Sequence, residues 1–480
     1  MTFSWIKNKS RFFLALVVLL TLPLFSGCGS QNQGYAVTLE IWGTMDDSTI
    51  YNDAIAKYKD LNPYVLDIKY RKFSQDTYKQ ELLDALASGQ GPDIFLINNA
   101  WLPSFENKLE SAPAGLINEQ DMNNNFPDVV SADFVDAGSV YAVPLSVDSM
   151  QLYYNKDIFN AAGITTPPKN WQEFSNDVQI LTKVDSVGNI NRAGVAMGTS
   201  QNINRAEDVL TLLMLQNGVV LPTKKGMLAT VDQGVPDQNG NIVQAGDQAL
   251  GYYTQFAKVS MLANIPNPVY SWNSRQSNSI DAFAAGNVAM MFNYSWQGSN
   301  IKNKNPKLNF AVAPVPQLNA AKPFSVANYW GYAVAKNKSI GSKQQSADVV
   351  PVSNEVRTHE AWQFLKFLTL KNSGTVTLYN AITKNSKDFS VSFDPAIDYL
   401  KKTNQPAARR DIIELQKRDA AIGVFASGNL IAKSWYQVDP DNIEKVFADT
   451  IDSVVSGDTS LHQALVLMKN RLDTLMQIKR

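Results

Sequence analysis

The fold class is decided by residues 37–97, which read VTLEIWGTMDDSTIYNDAIAKYKDLNPYVLDIKYRKFSQDTYKQELLDALASGQGPDIFLI. Three short apolar or alternating runs, typical of strands, are separated by two segments whose apolar residues recur at helical spacing. The strands are predicted over residues 37–42, 65–70 and 93–97, and the helices over residues 50–61 and 78–86. This alternation indicates parallel strands joined by crossover helices, and therefore an α/β protein.

The carboxyl ends of these strands carry polar and aromatic residues, at Trp42 to Asp47 and at Asn98 to Trp101. Ligands of open α/β sheets bind beyond the carboxyl ends of the strands. The middle of the chain repeats the pattern, with strands predicted over residues 151–154, 193–197 and 288–292. The last of these strands ends in Asn293-Tyr294-Ser295-Trp296. We therefore expect the functional site at these strand ends.

Composition excludes several classes of function. The 480 residues contain 43 Lys and Arg against 44 Asp and Glu, with two His and one Cys. The chain is long enough for two or three domains. Its net charge of −1 provides no basic field for nucleic acid. A single Cys excludes an internal disulfide framework and Cys-clustered metal sites.

The N-terminus has the features of a secretory signal, with Lys7, Lys9 and Arg11 before an apolar run over residues 12–25. Residues 24–28, LFSGC, resemble a bacterial lipobox, although Phe25 stands where the common pattern has Leu. We predict a signal peptide over residues 1–27, lipid attachment at Cys28 and a flexible tether over residues 28–34. The mature chain would then lie on the outer face of the cytoplasmic membrane. An uncleaved membrane anchor and an incidental Cys are the alternatives.

Several segments, in order along the chain, resemble the extracellular solute-binding proteins of ABC importers, in the carbohydrate-binding family that includes maltose-binding protein. Residues 91–94 (GPDI) resemble the element that enters the family's third strand, and YAVPLSVDSMQLYYNK at residues 141–156 resembles its first crossing between lobes. Further similar segments are PPKNWQEF at 167–174, FAAGNVAM at 283–290, KPF at 322–324 followed by WGYAV at 330–334, and the core helix at 361–368.

This resemblance implies a two-lobed periplasmic-binding-protein-like α/β fold with a ligand cleft between the lobes. Lobe 1 would comprise residues 35–145 and 326–405, and lobe 2 residues 146–325 and 406–480. The implied function is capture of a sugar, favoured as an oligosaccharide, and its delivery to the membrane permease of an ABC importer. We expect a monomer that binds neither cofactor nor metal.

A sugar offers hydroxyl groups to carboxylates and amides, and CH faces to aromatic rings. Candidate ligand-binding residues of these types lie at or near the predicted strand ends and crossings. They are Trp42, Asp46, Asp47, Asn99, Trp101, Asp148, Asn293, Trp296, Tyr329, Trp330 and Trp435.

The resemblance to the maltodextrin-binding relative implies roles for three of these residues. Asp148 and Asp46 correspond to acids that bind sugar hydroxyls there, and Trp296 to a stacking tryptophan. The alternatives are a hinge-capping acid at Asp148, a helix N-cap at Asp46 and Asp47, and core packing at Trp296. Ile97 stands where the family has a stacking Trp, with Trp101 four residues further on, so the arrangement of subsites is expected to differ.

Enzyme classes have little support in the sequence. It contains neither GxxxxGK[ST] nor HExxH. The alternatives that stay open are a lipid-anchored glycosidase that uses paired carboxylates and a structural or adhesion lipoprotein. The ligand could also be a polyol or a phosphorylated polyol.

Overall fold

The structure, a computed structural model, describes residues 37–237, 240–262, 265–339, 352–381 and 383–477. The predicted signal peptide, Cys28 and the tether lie outside the described residues. The described chain folds into two main sheets, each covered by helices.

The eleven strands of the two main sheets are numbered in chain order. They are β1 Val37–Gly43, β2 Val65–Lys72, β3 Ile94–Asn98, β4 Leu109–Glu110, β5 Ala142–Val143, β6 Gln151–Asn155, β7 Lys183–Val184, β8 Ile190–Val195, β9 Val288–Asn293, β10 Phe310–Ala313 and β11 Trp330–Ala335.

Sheet one has the order β2-β1-β3-β11-β4, and β5 also pairs with β11. The pairs of β1 with β2 and with β3 are parallel, as the alternating pattern predicts. Strand β11 is antiparallel to β3, with Trp330 opposite Asn98. A strand that comes from far along the chain therefore completes the sheet begun by residues 37–98.

Sheet two has the order β10-β6-β9-β8-β7. Strands β8 and β9 are parallel, whereas β6 is antiparallel to both β9 and β10. All six residues of β9 are buried, as its continuous apolar sequence predicts. The strand predicted over 193–197 begins earlier, at Ile190, and ends at Val195.

Helices cover both sheets, and short ribbons and 3-10 turns connect them. The helices are α1 Asn52–Leu61, α2 Gln75–Ala87, α3 Leu102–Phe105, α4 Glu119–Asn125, α5 Asp128–Phe134, α6 Lys156–Ala161, α7 Trp171–Leu181, α8 Ala206–Gln216, α9 Ala245–Thr254, α10 Ser279–Ala284, α11 Trp296–Lys304, α12 Asn354–Thr369, α13 Pro395–Thr403, α14 Arg410–Gln416, α15 Gly423–Asn429, α16 Pro440–Ser456 and α17 Leu461–Gln477. The 3-10 turns are Ser48–Tyr51, Asn99–Trp101, Glu106–Lys108 and Gln255–Ala257. The paired ribbons are Val135–Asp136 with Ser139–Val140, Gly234–Pro236 with Ile242–Gln244, Ser260–Leu262 with Ile265–Pro266, Ser325–Val326 with Ala432–Lys433, and Thr375–Tyr379 with Ser386–Ser390.

Two separate hydrophobic cores define two lobes. Core one takes buried residues from Val37 to Val147 and from Ala327 to Ile413, and core two takes Met150 to Val326 and Trp435 to Leu472. Between 413 and 435 the chain contributes residues to both cores. The lobe boundaries drawn from sequence stay a prediction, and core one continues past residue 405.

The segments that cross between the cores lie against one another. Ser149 bridges to Ala327, and the Ser325–Val326 strand pairs with Ala432–Lys433. The crossings therefore form a single band beside which the two lobes face each other.

Candidate functional site

A cavity of about 740 Å³ lies between the two cores. Its lining residues come from both lobes and from the crossing band. The first lobe supplies residues 44–47 after β1, residues 98–101 after β3, and Trp330. The second supplies Arg205, Glu207 and Asp208 at the start of α8, Trp296 and Asn300 on α11, and Pro440, Asp441, Ile443, Glu444 and Phe447 on α16. The cavity has the size and mixed lining of a small-molecule site.

The side of the cavity formed by the first lobe is called the first wall, and the side formed by the second lobe the second wall. On the first wall, the buried carboxylate of Asp46 is held by tyrosines. The hydroxyls of Tyr51 and Tyr399 donate to the same carboxylate oxygen, the latter at 2.9 Å. Burial raises the pKa of Asp46, and these two hydrogen bonds oppose the shift. Asp47 is exposed and forms an ion pair with Lys72 at 3.0 Å. Asp46 is thus fixed in position by the protein, while Asp47 lies at the open edge.

Two tryptophans give the first wall its aromatic surface. Trp101 and Trp330 meet edge to face, with ring centroids 4.9 Å apart and planes at 74°. Lys79 on α2 lies 5.3 Å from the centroid of Trp101 and forms an ion pair with Asp441 on α16 at 2.6 Å. Since α2 packs on core one through Tyr78 and Leu82, and α16 packs on core two, this ion pair joins the two lobes.

Charged groups dominate the second wall. Arg205 has a φ of 66°, a left-handed conformation that residues with side chains seldom adopt. Its guanidinium lies 3.8 Å from the Glu207 carboxylate. Burial, together with the neighbouring Asp208 and Glu444 carboxyls, raises the pKa of Glu207 well above its ordinary range. This backbone strain and these raised pKa values are typical of functional sites.

The aromatic residues of the second wall are Trp296, Trp435 and Phe447. Trp296 stacks on Tyr294, with centroids 4.7 Å apart and planes at 17°, and Arg205 lies 5.9 Å from its ring. Trp435 lines the cavity and is only 7% exposed, because it packs on Phe447 at 6.1 Å. Trp296 is therefore held by partners on its own lobe while it lines the cavity.

The family of bacterial extracellular solute-binding proteins matches residues 41–373. The chain belongs to this family. Its members are binding proteins that work outside the cytoplasm, and the resemblance drawn from the sequence segments is confirmed.

Individual relatives of this solute-binding protein are distant. A binding protein of Brucella abortus is 23% identical over 62% of the chain, and the match covers 63% of the relative's own length, less than two thirds. The diacetylchitobiose-binding protein DasA of Streptomyces coelicolor is 29% identical over 36% of the chain and 43% of its own length.

The fold is shared more widely than the sequence. The crystal structure of the cyclic alpha-maltosyl-1,6-maltose binding protein from Arthrobacter globiformis has a TM-score of 0.69 at 16% identity, over 92% of this chain and 99% of that one. The predicted two-lobed α/β fold is thereby confirmed.

Seven of the predicted ligand-binding residues line the cavity, and four do not. Those that line it are Asp46, Asp47, Asn99, Trp101, Trp296, Trp330 and Trp435. Trp42 is buried against Phe73, at 4.3 Å between centroids, and its indole nitrogen donates to Glu40. Asn293 is fully buried and donates to Asn204, while the Tyr329 hydroxyl donates to Asp133.

Asp148 is the most consequential of these corrections. It is 4% exposed, and its carboxylate accepts hydrogen bonds from the backbone nitrogens of Ser149 and Ser295 and from the Ser295 hydroxyl. Burial raises its pKa to about 7. Asp148 thus joins the first crossing to the loop after β9, so the structure favours the alternative role of a hinge acid.

Sequence reasoning missed most of the charged second wall, including Arg205, Glu207, Asp208 and Glu444. It also missed Asn328, which accepts from Asn98 at 3.1 Å and hydrogen-bonds to Asp208. The available signal was the run of charges at 205–208, RAED, before the apolar helix sequence VLTLLML. Acidic residues are also ordinary at helix N-termini, so the pattern alone did not indicate a site.

The described part of the chain offers neither a membrane span nor a cluster of metal ligands. None of its helices has both the length and the apolar character needed to cross a membrane. Across the same ranges, His, Cys, Asp and Glu side chains nowhere gather in threes so as to hold a metal ion.

Proposed function

We propose that this solute-binding protein captures a sugar, favoured as an oligosaccharide, in the cavity between its lobes. The observation that carries the proposal is the lining itself. Trp101, Trp296 and Trp330 offer aromatic surface for the CH faces of sugar rings, and Asp46 and Asn99 beside them offer hydroxyl partners. The name of one relative, the diacetylchitobiose-binding protein DasA, supports the same ligand class.

The charge of the lining favours a neutral sugar over a phosphorylated one. Six acids line the cavity, namely Asp46, Asp47, Glu207, Asp208, Asp441 and Glu444, against Arg205 as the one Lys or Arg among the described lining residues. A phosphate would find only Arg205 as a cationic partner on this lining, and Arg205 already lies 3.8 Å from the Glu207 carboxylate.

The test is a thermal-shift and calorimetric screen of the purified mature protein. The panel contains gluco-, manno-, cello- and chito-oligosaccharides, with glycerol 3-phosphate as the anionic probe. We expect at least one neutral series to raise the melting temperature and to bind with one-to-one stoichiometry. Failure of every sugar, or preference for glycerol 3-phosphate, would overturn the proposal.

The same samples test the alternative of a glycosidase. A hydrolase would release reducing ends from the bound oligosaccharide, and a binding protein would leave it intact. We expect no release over many hours at saturating sugar.

We also propose a lipid anchor at Cys28 and delivery of the sugar to the permease of an ABC importer. The lipobox-like LFSGC sequence supports the anchor, and membership of the solute-binding family supports the importer. Cys28→Ser should release the protein from membranes or stall its processing. A Cys28→Ser protein that stays on the membrane through an unlipidated N-terminus would refute the anchor. For the importer, the sugar-loaded protein should stimulate the ATPase of the permease complex.

A further inference from the structure

A second, smaller cavity adjoins the main one. It measures about 140 Å³, roughly one fifth of the main cavity, and the two share wall residues. Asn99, Ala100, Ser434, Trp435 and Gln437 line both. Because five residues form a common border, a molecule in the main cavity can be close to the side cavity.

The side cavity has the mixed lining that suits a sugar. Trp435 and Tyr436 supply aromatic surface, and Lys224 and Lys225 supply charged donors from the loop that follows Leu221 and Pro222. The loop is tied to the border segment, since the backbone nitrogen of Tyr436 donates to the Pro222 carbonyl at 2.7 Å. The donors and the rings therefore belong to one connected wall.

Asp133 organises the border between the two cavities. Its carboxylate accepts hydrogen bonds from the Asn99 amide at 3.2 Å, from the Tyr329 hydroxyl at 2.7 Å and from the Ser434 hydroxyl. Asn99 follows β3 of the first lobe, whereas Ser434 belongs to the crossing band. One carboxylate thus fixes two residues that face both cavities, which reduces the ordering cost of binding there.

We propose that the side cavity is a subsite for one further unit, or a branch, of an oligosaccharide whose other units occupy the main cavity. This inference rests on the proposed function. The small volume restricts the subsite to the end of the ligand. Asn99, Ser434 and Trp435, which line both cavities, would contact the sugar units on either side of the border.

The test fills the side cavity and leaves the main one untouched. Ala132 is exposed on α5 and lines the side cavity alone. Ala132→Phe should weaken binding of the longest oligosaccharide in the bound series by about tenfold. This corresponds to the loss of about 1.4 kcal/mol of contacts in the side cavity. Affinity for the shortest bound member should stay within twofold of wild type.

Two further variants complete the design. Ala87→Phe, at an exposed position on α2 outside both cavities, is the matched control and should change no affinity. Lys225→Ala leaves the helices intact and should reduce the preference for the longer sugar by severalfold. It serves as a second test should Ala132→Phe disturb folding, which the melting temperature reports.

The outcomes separate the subsite from the function. If wild type binds no member of any oligosaccharide series, the proposed function fails and the subsite with it. If wild type binds sugars but Ala132→Phe and Lys225→Ala leave the length preference unchanged, or weaken all lengths equally, the subsite is wrong and the function stands.

Discussion

The two walls of the main cavity differ in how their polar groups are held. On the first wall, the Asp46 carboxylate is held by Tyr51 and Tyr399, and the aromatic surface is a pair of packed tryptophans. On the second wall, Glu207 lies among other acids, and Arg205 has a strained backbone. The first wall therefore combines a carboxylate fixed by its neighbours with an aromatic surface, and the second brings several charged groups together. The first lobe thus contributes a pair of packed tryptophans to the cavity, and the second contributes most of its charged side chains.

The largest effect should come from the aromatic pair of the first wall. Trp330→Ala removes a ring that lines the cavity and also supports Trp101. Truncation of such an aromatic residue typically costs about 2 kcal/mol or more, or roughly a thirtyfold higher Kd. Calorimetry with the bound sugar measures this change. Phe389→Ala, on the ribbon at residues 386–390, is the control and should leave Kd unchanged. An undiminished affinity in a folded Trp330→Ala protein would show that the aromatic pair of the first wall does not bind the sugar.

The second prediction concerns stability and contrasts the carboxylates of the two walls. Asp46→Ala leaves the buried Tyr51 and Tyr399 hydroxyls without their shared acceptor. We expect a loss of roughly 1 to 3 kcal/mol in unfolding free energy, measured by urea denaturation without ligand. Glu207→Gln should show no such loss, since it removes a carboxyl whose ionised form is disfavoured. Equal losses in both variants would show that the walls do not differ in this way.

The third prediction is the pH dependence of that contrast. The pKa of Glu207 is raised from 4.5 to about 8 in the folded chain. Between these pH values the unfolded chain has released a proton that the folded chain still holds, and this difference lowers the stability of the folded chain. The penalty is absent below about pH 4.5, grows as the pH rises and is complete above about pH 8. Glu207→Gln should therefore raise the melting temperature relative to wild type at alkaline pH, and the two should converge at acid pH. A difference that is constant with pH would contradict this assignment.

The smallest effect concerns the contact that joins the walls. Lys79→Ala removes the ion pair with Asp441, and exposed pairs contribute about 0.2 to 1 kcal/mol. We expect ligand release to accelerate about twofold to fivefold, measured by stopped-flow fluorescence. Lys59→Ala removes a comparable pair with Asp67 inside the first lobe and should leave release unchanged. An effect of Lys59→Ala as large as that of Lys79→Ala would remove the special role of the inter-lobe pair.

Local periodicity was sufficient for much of the fold. The helix predicted over 78–86 lies within α2, and the strands predicted over 37–42 and 288–292 lie within β1 and β9. These elements have clear apolar spacing and distinct stops. The place of β11 between β3 and β4 could not be read in this way, because it depends on pairing between residues more than two hundred positions apart.

Sequence position brought Asp46 and Trp101 to the lining of the cavity, because each closely follows a strand of sheet one. It did not do so for Asp148 and Tyr329, whose buried side chains form hydrogen bonds within the protein and lie outside the lining. Sequence spacing places a residue at a strand end or a crossing but does not say which partners its side chain finds. The second wall was missed because its charges begin a helix instead of following a strand.

The interleaving of the two cores has a consequence for the order in which the molecule is assembled. All strands of sheet two lie within residues 151–313, whereas sheet one, which begins the chain, needs β11 at residues 330–335. Synthesis starts at the N-terminus, so all strands of sheet two have been made before β11 of sheet one. Until β11 arrives, the edge of β3 has no partner on that side, and an open edge invites pairing with other chains. The half of the protein made first is therefore the half that most needs protection while the rest is being made.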